Sequence, residues 1–75
     1  MNTPLTSVET EIVSLLKDKI NTTGVFGEMM KMVFYADEPT MTRQLLAEIK
    51  SQAYTAPEAT AKVVGYKTFL LVSNL

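Results

Sequence analysis

Any chemistry in this chain would have to come from carboxylates, lysines and hydroxyls, because its 75 residues include neither His nor Cys. The commonest general base, the commonest metal ligand and the thiolate nucleophile are therefore all missing. The acidic residues are Glu9, Glu11, Asp18, Glu28, Asp37, Glu38, Glu48 and Glu58. Most fall at helix starts or solvent positions, where acids complement the helix dipole. Asp37 and Glu38 are adjacent, but one helix N-terminus accounts for both. No Asp-rich loop has the spacing of a cation site. Ser7, Ser14, Ser51 and Ser73 have no histidine to activate them, and nothing in the sequence selects a Ser–Lys pair. Gly24, Gly27 and Gly65 do not build a phosphate-binding pattern. The chain is accordingly read as a protein that is not an enzyme, with no catalytic residue, no metal site and no cofactor.

Charge excludes further classes. Seven Lys and Arg against eight Asp and Glu give a formal charge of −1. Lys17, Lys19, Lys31, Arg43, Lys50, Lys62 and Lys67 are spread along the chain, whereas non-specific nucleic-acid binding needs clustered cations. No nucleic-acid partner is expected. The apolar runs at 32–36 and 69–72 are far short of the roughly 20 residues a membrane-spanning helix needs. The first residues carry no basic segment followed by an apolar stretch. The expectation is a cytoplasmic protein with no membrane partner.

The features that remain are apolar. Between Val25 and Tyr35 only Gly27, Glu28 and Lys31 interrupt a run of apolar and aromatic residues. At about 100° per residue, Val25, Met29, Met32 and Ala36 share one helix face, while Phe26, Met30 and Phe34 form a second stripe about 120° away. One stripe serves a core, and the other calls for a partner. Met and aromatic side chains both recur at protein-binding surfaces. The C-terminal segment shows the same excess, with Val64, Leu71 and Leu75 in a line outside its expected inner face. The candidate binding residues are therefore Phe26, Met30, Phe34, Leu71 and Leu75.

The elements that must position these residues are signalled mostly by helix starts. Thr6-Ser7-Val8-Glu9 reads as a capping box, followed by Val8, Ile12, Leu16 and Ile20 at helical spacing. This predicts a helix over about 7–21, stopping near Gly24. Asp37 as N-cap with Pro39 in the first turn opens a helix over about 38–53. Its inner face is Met41, Leu45, Ile49 and Ala53, with Leu46 beside them and Arg43, Gln44, Lys50 and Gln52 facing water. Thr55-Ala56-Pro57-Glu58 repeats the capping pattern and predicts a helix over about 56–72, with Ala59, Val63, Tyr66 and Leu70 as its inner stripe. Against that stand Val63, Val64, Tyr66, Thr68, Phe69 and Val72, which strands prefer, and Gly65 inside the helix.

The predicted architecture is one small domain over residues 1–75, an all-α bundle of about four short helices. The alternative is α+β, in the order αβαβ, with strands near 31–36 and 62–72. Leu16, Leu45 and Ile49 are expected in the core. A domain of this size buries only about 60% of the surface its unfolded chain exposes. With no disulfide available, regular helix packing and oligomerisation are left to stabilise it. The function expected is a small non-catalytic protein–protein interaction module. It would associate with itself, regulate a larger partner protein, or both, through apolar faces of the second helix (24–36) and the fourth. The alternative is a carrier or sensor that holds an apolar small molecule between helices.

Overall fold

A computed structural model describes residues 3–23 and 38–75. Among these residues there are four helices and no strand: α1 (Ser7–Thr23), α2 (Pro39–Thr55), α3 (Pro57–Val64) and α4 (Tyr66–Ser73). The chain is all-α over the described residues, and the αβαβ alternative fails where its second strand was placed. Its other strand, and the predicted helix over 24–36, lie outside the described residues.

The start of α1 matches its sequence signal. The Glu9 N–H donates to Thr6 Oγ1 at 3.1 Å, and the Thr6 N–H donates to Glu9 Oε1 at 2.8 Å. This reciprocal pair satisfies two donors that a helix end otherwise leaves unmade. α2 begins differently from the expectation. Its N-cap is Glu38, which makes no side-chain cap bond, and Pro39 enters at the first turn. The proposed cap, Asp37, lies outside the described residues.

α2 runs two residues further than predicted and ends for a local reason. Ala56 precedes Pro57, and a residue before proline is pushed out of the helical region; Ala56 sits at φ −142°, ψ 70°. The second capping box does not form. Thr55 is the last residue of α2, and its hydroxyl donates back to the Ser51 and Gln52 carbonyls at 3.2 and 3.5 Å. Ala56 takes the N-cap position of α3 with no side-chain bond, and Pro57 stands at the first turn, where its missing N–H has no consequence.

The long helix predicted over 56–72 is two helices. Gly65 separates them at φ 90°, ψ 152°, a region open essentially to glycine alone. The break also explains an error of phase. The predicted inner stripe, Ala59, Val63, Tyr66 and Leu70, is exposed, and the buried residues are Thr60, Val64, Thr68 and Val72. In one straight helix, steps of four drift by about 40° each, so Thr60 and Val72 would point about 120° apart. The turn at Gly65 divides that line into two pairs, each four residues apart, and both pairs are buried.

The core joins Ile12, Val13, Leu16 and Ile20 of α1 to Leu45, Leu46 and Ile49 of α2, with Val64 and Val72 from α3 and α4. Leu5, Phe69 and Leu71 pack against it. Leu16, Leu45 and Ile49 are buried as expected, but Val8 and Met41, at the start of the two predicted stripes, are exposed. Each lies in the first turn of its helix, at the margin of the bundle. α4 is central to the packing, since it contacts α1, α2 and α3. Three threonines, Thr42, Thr60 and Thr68, are buried. No fully buried side-chain oxygen or nitrogen among the described residues lacks a hydrogen-bond partner.

Candidate functional site

α3 and α4 each carry four-residue pairs on more than one side. The inward pairs are Thr60/Val64 and Thr68/Val72, all small and β-branched. The outward pairs are Ala59/Val63 and Tyr66/Leu70. In α3 the exposed pair lies one residue, or about 100°, from the buried line. In α4 it lies two residues, or about 200°, away, on the opposite side of the helix. In α4 the outward pair is thus the larger one. Val63 is 46% exposed, Leu70 43% and Tyr66 70%, whereas Val72 is fully buried. The Tyr66 ring stacks on Phe69, with centroids 6.4 Å apart and planes 18° apart. Phe69 in turn packs against the core, so Tyr66 is an exposed ring braced by a half-buried one.

Of the residues read from the sequence as binding candidates, Phe26, Met30 and Phe34 lie outside the described residues. Leu71 is half-buried and packs on the core. Leu75 is exposed, and its main-chain oxygen accepts a hydrogen bond from the Lys50 ammonium, which ties the end of α4 to α2. The structure therefore adds Val63, Tyr66 and Leu70, which sequence reasoning had placed inside. Their exposure follows from the break at Gly65 and from the burial of threonine, and neither shows in a count of apolar residues.

The second polar feature is a clamp at the other end of the chain. Arg43 was expected to face water. Instead its Nε donates to Glu9 Oε2 at 2.9 Å, and its Nη2 donates to Glu9 Oε1 at 3.0 Å. Nη1 and Nη2 also donate to the Thr3 and Pro4 carbonyls, both at 2.7 Å. The Arg43 side chain is 32% exposed and that of Glu9 only 12%. The hydrogen bond from Arg43 holds the Glu9 carboxyl below the usual glutamate range, with the Thr6 N–H helping and burial opposing. No sequence signal reveals this pair, because 34 positions separate its members.

Between α1 and the α3–α4 junction runs an open groove of about 310 Å³, lined by Leu15, Asp18, Lys19 and residues 64–68. Charged side chains line it beside apolar ones. The four hydroxyls considered for nucleophilic chemistry include Ser73, whose Oγ donates to the Phe69 carbonyl at 2.7 Å. Among the described residues no three carboxylates gather where they could hold a metal ion, and no helix is long and apolar enough to cross a membrane. No protein-family model, no curated protein and no solved structure matches this chain.

Proposed function

We propose that this protein is a non-catalytic protein–protein interaction module that associates with itself and presents the same surface to a larger partner. One observation carries the reading: α4 turns Tyr66 and Leu70 outward, on the side opposite the buried Thr68 and Val72, and Val63 of α3 is exposed as well. A helix that served only its own core would place its largest apolar residues inward. Large exposed apolar side chains mark contact sites when they gather on one surface, and tyrosine is among the residues enriched at interface cores. A formal charge of −1 offers little repulsion between copies. The groove beside α1 gives less support to a carrier of apolar small molecules, because Asp18, Lys19 and Lys67 share its lining and such ligands favour predominantly apolar walls.

The test is the solution mass by light scattering over a range of concentrations. The wild-type mass should exceed the 8.3 kDa of one chain. The double variant Tyr66→Glu, Leu70→Lys should return towards that value with its helical circular dichroism retained, since both side chains are already in contact with water. A wild-type mass of one chain at every concentration would remove self-association. A variant that keeps the wild-type mass would move the contact away from α4.

A further inference from the structure

We infer that residues 3–5 form a strap that opens independently of the helices, with the Arg43 guanidinium as its catch. The segment precedes the first helical hydrogen bond of α1, which runs from the Thr10 N–H to the Thr6 carbonyl. Its polar attachment among the described residues is Arg43 alone, through the Thr3 and Pro4 carbonyls. Its apolar attachment is Leu5, which is half-buried against the core, while Thr3 and Pro4 are exposed. One side chain on α2 and one leucine thus hold three residues of backbone.

The catch is preorganised. Glu9 fixes the guanidinium with two parallel bonds, the fork geometry that makes Arg–carboxylate pairs directional. Glu9 is itself fixed by the Thr6 N–H within the α1 capping box. The remaining donors of the same guanidinium are then aimed at the two carbonyls. The capping box does not need Arg43, so loss of the catch leaves α1 capped and frees only the strap. Opening withdraws Leu5 from the core and bares the apolar surface it covers. Segments with few apolar contacts and few backbone bonds are those that open below the free energy of global unfolding.

The experiment is NMR relaxation and native-state hydrogen exchange on the full chain and on Arg43→Met, Arg43→Lys and Glu9→Gln. Methionine keeps an apolar stem but no donors. Lysine keeps the charge but cannot reach a carboxylate and two carbonyls from one fixed plane. Glutamine preserves a capping-box side chain and removes only the charge that holds the guanidinium.

In wild type, Leu5 should have a backbone order parameter near the rigid value of about 0.85; in Arg43→Met it should fall below about 0.6. Arg43→Lys and Glu9→Gln should fall between. The amides of Leu16, Leu46 and Val72 should keep their exchange protection within about threefold, a shift under roughly 0.7 kcal/mol. A Leu5 that stays rigid in Arg43→Met overturns the inference. So does loss of protection at Leu46 and Val72 in step with Leu5, which would make the strap part of the cooperative core. If Arg43→Met fails to fold, Glu9→Gln decides by the same readout, and failure of both to fold also overturns it.

Discussion

Truncating Val72 should destabilise the protein more than truncating Leu70, although leucine is the larger side chain. Both residues lie in α4, two positions apart. Alanine is a better helix former than either, by more for β-branched valine, so helix propensity works against the predicted order. Val72 is fully buried and belongs to the core that joins all four helices, while Leu70 is 43% exposed on the opposite side of α4. Val72→Ala removes two carbon groups, each contributing about 0.8 kcal/mol of transfer free energy. The cavity left behind adds to this and brings the loss to about 2–3 kcal/mol. Leu70→Ala removes three carbon groups but leaves no cavity, and its loss should stay below about 1 kcal/mol. A 75-residue domain has a total stability of about 4–11 kcal/mol, so the first change takes a large share of it and the second does not. Urea unfolding followed by circular dichroism, at a protein concentration where both variants are monomeric, resolves the difference. With a slope near 1 kcal/mol per molar, the Val72→Ala midpoint should fall by about 2 M or more. A larger loss for Leu70→Ala would restore Ala59, Val63, Tyr66 and Leu70 as the inner stripe and refute the phase described here.

Three other outcomes follow from the same geometry. Gly65→Ala should destabilise by about 1–3 kcal/mol through the backbone alone, since a methyl there meets nothing within 4 Å; an unchanged melting temperature would show that the helix break does not need glycine. The Glu9 carboxyl is held low by Arg43, so its contribution is fully present above the unfolded glutamate value of about 4.3 and is lost as pH falls through the folded value. Wild type should therefore lose stability more steeply than Glu9→Gln as pH drops below about 4.5, and parallel acid titrations of unfolding would contradict this. Lys67→Ala should change stability by less than about 0.5 kcal/mol, because its 3.6 Å pair with Glu11 is solvent-exposed on both sides; a larger loss in thermal unfolding would assign that pair a structural role.

Much of the helical framework was legible because capping and spacing are local. The Thr6–Glu9 box, the four-residue recurrence of Ile12, Leu16 and Ile20, and the leucine line of α2 all depend on neighbours within a turn. The C-terminal segment was less legible for two reasons. Gly65 reads as a tolerable weakness in one helix when it is the division between two, and Thr55 serves the end of α2 instead of the start of α3. Thr60 and Thr68 are buried, and they take inward positions where spacing alone had placed Val63 and Tyr66. The Arg43–Glu9 clamp depends on how α1 lies against α2, and tertiary placement of that kind leaves no periodic trace in the sequence. The binding stripe read at Phe26, Met30 and Phe34 lies outside the described residues. Leu71 packs on the core, and the surface reading has passed to α3 and α4.

The most direct test of that surface is a dilution series followed by amide chemical shifts. Self-association through α3 and α4 predicts concentration-dependent shifts at Val63, Tyr66 and Leu70, with exposed amides of α1 such as Ser14 unmoved. Shifts confined to α1, or none between micromolar and millimolar protein, would contradict it.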